Sequence, residues 1–262
     1  MLLILSPSKR LADAAAAPEG AHSTSPRLLA EAATLVDRLR RFDPDGLAHI
    51  YGVSERLAEL NHARFRDWSG DRHTAGDATP AALLFRGDVY DGLRAWDWPA
   101  DAYVFAQSHL RILSGQYGVL RPLDLILPHR LEMGTKFPRA TRAVPRTLYD
   151  YWGDRLSGLL RDDLTGSDGG GWVLDLASRE YAKAAPLPDV RTVTPRFLTD
   201  RPGGPPRVVA VHAKQARGRL ARWVVSHRLT NPDRLPEWDE ARFRFAPDLS
   251  EPYAPAFVRP AT

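Results

Sequence analysis

The sequence predicts an α/β fold: a single compact domain in which helices surround a mixed or partly parallel central sheet. Short, continuous apolar runs are separated by stretches of helical periodicity, which is typical of a sheet covered on both faces. Of the 262 residues, 44% are hydrophobic and 26% are charged, so the chain can form a sizeable core. Neither an internal repeat nor a long linker divides it. One domain is therefore expected over residues 1–262.

Four apolar runs are predicted as buried strands, and each leads into a polar segment. They are Leu2–Leu5, Tyr103–Ala106, Trp172–Leu176 and Val208–Val211. In sheets of this kind, functional groups gather beyond the carboxyl ends of the strands. If the four strands are neighbours, one rim is expected to hold Lys9, His109, Ser178, Glu180, Lys183, His212 and Lys214.

Helices are expected to fill the gaps between these strands. Ser25 and Pro26 look like an N-cap followed by proline at the first helical position, ahead of an apolar stripe. Ser54 is expected to cap a second helix. Glycine-rich segments at residues 166–171 and 201–206 are predicted as surface loops.

A third predicted helix lies in a segment of one-sided charge. Residues 207–228 contain six cations and no acid, although the formal net charge of the whole chain is only +4. The core-facing stripe of this helix is predicted to be Leu220, Trp223, Val224 and His227. Solvated helix faces normally mix both signs of charge, so the segment indicates an anionic partner, with a plain solvated face as the alternative.

A turn with two glycines, Ser114-Gly115-Gln116-Tyr117-Gly118, interrupts an apolar stretch. One interpretation is a helix–hairpin–helix-like element at about residues 107–125, whose main-chain N–H groups bind a phosphate. The other is a helix that ends at a glycine and is followed by a tight turn, which is a common arrangement. Both interpretations are open at this point.

Several classes of function are disfavoured by what the sequence lacks. Without cysteine there can be no disulfide, thiolate metal site or thiol nucleophile. The chain also has no G-x-G-x-x-G after a strand, no Walker loop, no H-E-x-x-H and no G-x-S-x-G. The apolar run at residues 1–5 is too short for a signal peptide or a membrane span. A cytoplasmic protein without a membrane partner is therefore expected.

Ionisable residues near arginines raise the alternative of an enzyme. Carboxylates in such places are general acid–base candidates or metal ligands, although they are more often partners in ion pairs that fix a loop. The acidic candidates are Asp88, Glu132, Asp154 and Glu180. The histidine candidates, for a metal or a haem, are His109, His129 and His212.

Six strings, in this order, resemble the YaaA family of bacterial peroxide-stress proteins. They are LILSPSKRL, FRGDVYDGL, HLRILSGQYGVLRPLDLILPHRLEMG, LYDYWGD, DLASREYAKA and HAKQARGRLARWVVSHRLTNPDRL. Together they span nearly the whole chain, which makes the match specific. The resemblance implies a cytoplasmic α/β protein of unusual topology that is induced in peroxide stress and linked to limiting iron and to DNA damage. It also implies DNA binding through a helix–hairpin–helix-like element and a positively charged cleft.

Carried onto this sequence, the resemblance places the hairpin at residues 114–118, with Ser114, Gly115, Tyr117 and Gly118 as phosphate-binding positions. The basic cleft then comprises Lys9, Arg86, Arg121, Arg130, Lys183, Lys214 and Arg217. This chain departs from the family pattern at His129 and His212, where tyrosine is typical. Those two changes suggest a member adapted to iron or haem, or to proton transfer.

Three hypotheses follow. The first is a protein of the oxidative-stress response that holds duplex or distorted DNA through backbone phosphates, without base readout and without a required cofactor. The second is an enzyme that acts on a nucleobase-like or other small substrate, with iron or haem as an optional cofactor. The third is a regulatory protein that binds a small anionic ligand.

Overall fold

A computed structural model describes residues 1–165 and 171–261, so most of the loop predicted at 166–171 lies outside the described residues. The strands are β1 Leu2–Leu5, β2 Arg10–Leu11, β3 Thr79–Pro80, β4 Phe85–Arg86, β5 Leu110–Ser114, β6 Gly118–Leu120, β7 Leu125–Ile126, β8 Trp172–Asp175, β9 Arg191–Val193, β10 Arg196–Arg201, β11 Gly204–Arg207, β12 Arg244–Phe245 and β13 Ala256–Arg259.

Helices cover these strands. The α-helices are α1 Leu29–Leu39, α2 Pro44–Tyr51, α3 Glu55–Asp67, α4 Ala81–Leu84, α5 Asp88–Leu93, α6 Ala100–His109, α7 Leu148–Trp152, α8 Arg155–Thr165, α9 Arg179–Ala182 and α10 Ala210–Ser226. Short 3-10 turns lie at Gly70–Arg72, Ala95–Asp97, Pro232–Glu237 and Pro247–Leu249. The helix predicted after Ser54 is α3, and Ser54 is its N-cap residue, although its side chain makes no capping hydrogen bond. The helix predicted after Ser25 is α1, but it begins at Leu29 with Leu28 at the N-cap, so the predicted cap at Ser25 and Pro26 is wrong.

The central sheet has five strands in the order β6-β5-β1-β8-β9. β1 is fully buried and pairs in parallel with both β5 and β8, while β9 is parallel to β8 and β6 is antiparallel to β5. This mixed, mostly parallel sheet confirms the predicted fold class. Because β1 and β8 are parallel neighbours, the segments that follow them begin side by side at one edge of the sheet.

Two of the four predicted strands do not form. Tyr103–Ala106 lies inside α6, where Tyr103 and Ala106 are buried while Val104 is 65% exposed. Val208–Val211 leads into α10, and Val208 is 63% exposed. A short apolar run does not distinguish a strand from a turn of helix, and here one face of Tyr103–Ala106 is buried while no residue of Val208–Val211 is. The strand next to β1 is instead Leu110–Ser114.

The helix–hairpin–helix prediction is also wrong. Residues 107–125 contain the end of α6 and then the antiparallel hairpin of β5 and β6, in which Ser114 pairs with Gly118. The Ser114 hydroxyl accepts hydrogen bonds from the main-chain N–H groups of Gln116 and Tyr117, at 3.3 and 3.1 Å. Gly118 has φ 71°, a backbone conformation that favours glycine. The two glycines therefore belong to a β-turn.

A second sheet, in the order β11-β10-β13-β12, packs near α10. Its core is a cluster of aromatic rings: Phe197, Trp238, Phe243 and Phe257. α10 is the predicted basic helix, with Leu220, Trp223 and Val224 buried as expected. His227 was wrongly placed in the core stripe, because it lies at the C-cap, where the helix ends, and is exposed.

α5 and α10 cross with their backbones in contact. A Cβ atom built on Gly218 would lie 1.8 Å from the carbonyl oxygen of Val89, and one on Gly92 would lie 2.5 Å from that of Gln215. Glycine at both positions lets the two helices approach this closely. The crossing fixes the start of α5 and the first half of α10 relative to each other.

Candidate functional site

A cleft of about 410 Å³ lies beyond the carboxyl ends of β1 and β8. Its walls come from residues 6–10 after β1, residues 87–90 at the start of α5, residues 176–181 after β8, and Lys214 and Arg217 on α10. We call this space the cleft. It lies where a mostly parallel sheet is expected to place a site.

Hydrogen bonds hold the two strand ends together at the base of the cleft. The Ser178 N–H donates to the Ser6 hydroxyl at 2.8 Å, and the two serine hydroxyls are 3.3 Å apart. The Tyr90 hydroxyl donates to the Ser6 carbonyl at 2.9 Å. Burial raises the pKa of Tyr90 well above its ordinary value, so the phenol stays a hydrogen-bond donor at neutral pH. These hydrogen bonds hold the segments after β1 and β8 together at the floor of the cleft.

Four cations and two carboxylates line the cleft: Lys9, Arg10, Lys214, Arg217, Asp88 and Glu180. Within residues 1–165 and 171–261, no carboxylate lies within the 4.0 Å of an ion pair from Arg10, Lys214 or Arg217. Burial lowers the pKa of Arg217, and the more distant Asp175 opposes that shift. Three cations thus face one space without a paired acid.

Arg10 also lies directly opposite Arg86 in the short pairing of β2 with β4. Like charges in such a pair repel each other. Arg86 turns away, since its guanidinium donates to the Leu83 carbonyl at 2.8 Å and stacks 4.5 Å from the ring of Trp96. The side chain of Arg10 stays exposed at the cleft.

The structure brings together only part of the predicted basic set. Lys9, Lys214 and Arg217 line the cleft. Arg130 lines the smaller cavity described below, where it pairs with Glu132 at 2.7 Å. The other predicted cations are engaged elsewhere: Arg86 as described, Arg121 with buried Asp124 at 2.9 Å, and Lys183 over the ring of Tyr149 at 4.7 Å. Arg10 was missed, although it follows Lys9 directly after the first strand.

The hairpin residues cannot reach a phosphate. Ser114, Gly115, Tyr117 and Gly118 are all buried. A Cβ atom on Gly115 would lie 2.2 Å from the Leu131 carbonyl oxygen, and one on Gly118 would lie 2.6 Å from the Leu28 side chain. The close approach for which the two glycines are needed is to the protein itself. Their assignment as phosphate-binding positions is therefore corrected.

The hairpin's tyrosine is part of a buried hydrogen-bond cluster. The Tyr117 hydroxyl accepts from the Trp68 indole N–H at 2.9 Å and lies 3.0 Å from Nε2 of His73. The ring of His129 packs edge-on against Tyr117, with ring centroids 4.9 Å apart. This cluster links the hairpin core to the wall of the site.

A smaller cavity of about 70 Å³, which we call the narrow arm, adjoins the cleft. It shares five lining residues with the cleft, namely Pro7, Ser8, Lys9, Glu180 and Tyr181, and its other lining residues are Phe85, His129, Arg130, Leu131 and Glu132. Lys9 Nζ lies 3.0 Å from Glu132 Oε2, and the Gly134 N–H donates to Glu180 Oε1 at 2.7 Å. The two spaces therefore adjoin and share a wall.

The acidic candidates divide between these spaces. Asp88 lines the cleft, Glu132 lines the narrow arm, and Glu180 lines both. Asp154 is exposed at the turn between α7 and α8 and does not line either space. Three of the four candidate carboxylates are therefore at the site.

The three candidate histidines lie apart. His109 ends α6 and stacks on Phe105 at 4.1 Å, and His212 on α10 contacts the Thr199 hydroxyl at 3.1 Å, whereas His129 lines the narrow arm. Across the described ranges, 1–165 and 171–261, no three His, Asp or Glu side chains are placed to hold a metal ion. These residues do not fit a preformed iron site, and the narrow arm is too small for a haem.

Among the helices of the described residues, none is both long and apolar enough to cross a bilayer. The fold and the site together define a class: an α/β protein with a cation-rich cleft at the carboxyl ends of its parallel strands.

Comparisons with known proteins identify the family. A family model described as peroxide stress protein YaaA matches residues 1–249. A UPF0246 protein of Dinoroseobacter shibae is 46% identical over 99% of this chain and 95% of its own length. UPF0246 proteins of Cupriavidus metallidurans and Burkholderia mallei are 43% and 41% identical, over 94% and 100% of this chain and 93% and 99% of their own lengths. The chain belongs to the YaaA family of peroxide stress proteins.

Proposed function

We propose that this YaaA-family protein binds DNA in the cytoplasm as part of the response to peroxide stress. The cations of the cleft contact the backbone phosphates, and bases of the duplex are not read. One observation carries the proposal: Arg10, Lys214 and Arg217 surround the cleft, and none of them has an ion-pair partner in the described chain.

The physical argument concerns charge and hydration. Four cations against two carboxylates leave the cleft with an excess of positive charge, and a phosphate near the cations neutralises that excess. Arg217 is half-buried and has therefore lost part of its hydration, which a charge-assisted hydrogen bond to a phosphate oxygen restores. A duplex backbone presents phosphates in a row, so two or three can be neutralised together.

The test is fluorescence anisotropy with a short labelled duplex, titrated at several salt concentrations. Neutralising three phosphates predicts a slope of log K against log salt of about −2.7. The double variant Lys214→Gln, Arg217→Gln should lower the magnitude of that slope by about 1.8. A control variant with the same change of charge, Arg196→Gln, Arg234→Gln, removes two exposed arginines that are paired with Glu251 and Glu237.

The control should bind like the wild type, because its two arginines lie outside the cleft. If wild-type binding does not depend on salt, or if both double variants lose the same part of the slope, the cleft is not the phosphate site.

A second candidate function is an enzyme that acts on a small phosphorylated substrate. It is favoured by Asp88 and Glu180, which line the same space as the four cations, and by a volume that accommodates a nucleotide-sized molecule. Incubation with nucleoside phosphates, followed by chromatography of the mixture, tests it. The expected result is a new product that disappears in Asp88→Asn, and the absence of any product would remove this candidate.

A further inference from the structure

His129 points to a second subsite in the narrow arm. Its side chain is only 7% exposed and lines that cavity. Nδ1 lies 2.9 Å from the Leu127 carbonyl oxygen, which can only accept, so Nδ1 carries the proton. Burial lowers the pKa of His129 to about 4, and the ring is therefore neutral at pH 7. Nε2 is left as a hydrogen-bond acceptor, and it makes no hydrogen bond within the part of the chain that the structure describes.

The surroundings of His129 match a flat ring that carries N–H groups. Phe85 and Tyr181 give the narrow arm aromatic walls, with Phe85 6.1 Å from the His129 ring between centroids. Glu180 accepts one hydrogen bond through Oε1, which leaves its other oxygen free to accept a second. Lys9 is the donor at the entrance, where it now contacts Glu132. Arg130 also lines the narrow arm, and its buried Nε has no hydrogen-bond partner in the described chain. Acceptors and donors between aromatic rings complement the polar edge of a base such as guanine, which carries both N–H groups and an acceptor oxygen.

The dimensions set the orientation of such a ligand. With about 70 Å³, the narrow arm has room for the volume of about two water molecules, and hence for the edge of a ring. A sugar and a phosphate would have to lie in the adjoining cleft of about 410 Å³, toward Lys214 and Arg217.

We propose that the narrow arm and the cleft together bind one nucleotide unit, with the N–H-bearing edge of its base in the narrow arm against His129 and its phosphate on the cations of the cleft. The placement of the phosphate rests on the proposed function, while the placement of the base rests on His129, Glu180 and the aromatic walls. The nucleotide can be a free molecule or an unpaired nucleotide of a DNA strand, since both present the same chemistry.

The experiment is isothermal titration calorimetry with dGMP, dTMP and deoxyribose 5-phosphate. We expect dGMP to bind about tenfold more tightly than the other two, since one or two buried hydrogen bonds separate them. His129→Phe keeps a ring against Tyr117 but removes the acceptor, so dGMP should fall to the level of deoxyribose 5-phosphate. The control His212→Phe alters a histidine outside the site and should keep the tenfold preference.

A second variant, at an exposed residue, tests the same subsite in the case that His129→Phe does not fold. Glu180 is exposed, and Glu180→Gln can keep the hydrogen bond from Gly134 while replacing an acceptor with a donor. It should also abolish the preference for dGMP. Equal binding of all three ligands to the wild type, or an unchanged preference in both site variants, overturns the base subsite.

Duplexes with one bulged dG, one bulged dT or full pairing separate the two sources of the nucleotide. A preference for the bulged dG that is lost in His129→Phe supports an unpaired nucleotide of DNA, and discrimination among free nucleotides alone supports a free ligand. If all duplexes bind equally with a steep salt slope and dGMP shows no preference, the inference fails while the proposed function stands. If neither DNA nor deoxyribose 5-phosphate binds, the proposed function fails.

Discussion

Arg111, which is buried in the central sheet, and Arg217, which is half-buried at the cleft, differ in whether a carboxylate pairs with them. Arg111 on β5 is 4% exposed and is matched by Asp163, with Nε 2.6 Å from Oδ2, and by main-chain carbonyls. Arg217 at the cleft is half-buried and has no ion-pair partner in the described chain. Where a cation supports the fold, the chain supplies its anion. At Arg217 the described chain supplies no such anion, and this difference is why we propose that an external phosphate binds there.

The largest loss of stability is expected when the ion pair between Arg111 and Asp163 is broken. Asp163→Asn leaves Arg111 buried without a countercharge, and it also releases Arg27, which makes two hydrogen bonds to the same carboxylate. We expect a loss of about 4 kcal/mol in the free energy of unfolding, measured by urea denaturation. The neighbouring exposed Asp162→Asn is the control and should change it by less than about 0.5 kcal/mol. Similar values for the two variants would mean that Arg111 does not depend on its partner.

The hairpin of β5 and β6 should lose stability when a side chain is added at Gly115, because it is packed against the rest of the protein. In Gly115→Ala, the new methyl group would overlap the Leu131 carbonyl, so the free energy of unfolding should fall by about 3 kcal/mol. Gly158→Ala within α8 meets nothing within 4 Å and should raise stability by up to about 1 kcal/mol. A Gly115→Ala protein of normal stability that fails to bind DNA would return the phosphate site to the hairpin.

The buried histidine predicts a dependence of stability on pH. His129 has a folded pKa of about 4 against an ordinary 6.5, so the unfolded chain takes up its proton first as the pH falls. Its contribution is complete above about pH 6.5 and is lost progressively toward pH 4. From this group alone we expect about 2 kcal/mol less stability at pH 5 than at pH 8. Urea denaturation at both values, compared with His129→Phe, measures the difference, and equal pH dependence in the two proteins would contradict it.

The smallest effect concerns the unpaired cations. Arg10→Gln removes the repulsion between Arg10 and Arg86 across β2 and β4, so stability should rise by about 0.5 kcal/mol. The same change should lower the magnitude of the salt slope for DNA by about 0.9. Thermal unfolding and anisotropy measure the two quantities, and a variant that is less stable but binds DNA normally would contradict both expectations.

Local patterns were sufficient for part of the fold. β1, β8 and α10 were predicted because a fully buried strand and a long amphipathic helix each leave a clear signal within a short segment. The run in α6 was misassigned because four apolar residues carry no period. That error displaced His109, which precedes the strand β5 instead of following it, so it lies away from the expected rim.

The candidate site was predictable only for the residues that directly follow a correctly predicted strand. Lys9, Ser178 and Glu180 were expected together because they follow β1 and β8, and the structure places them in one cleft. The position of Asp88 depends on a crossing of helices more than 100 residues apart in sequence, fixed by Gly92 and Gly218. No local pattern encodes such a contact. The narrow arm was not predicted either, because its lining residues also come from segments that are far apart in sequence.

The central claim is that DNA contacts the cleft cations and not the hairpin. Nuclear magnetic resonance tests it directly, by following the main-chain amides of Gly115 and Gly118 and the side-chain Nε–H signals of Arg10 and Arg217 as a short duplex is added. The account predicts saturable shifts of the two arginine signals and no change at the two glycines, because these are buried. Shifts at the glycine amides with unchanged arginine signals would contradict it.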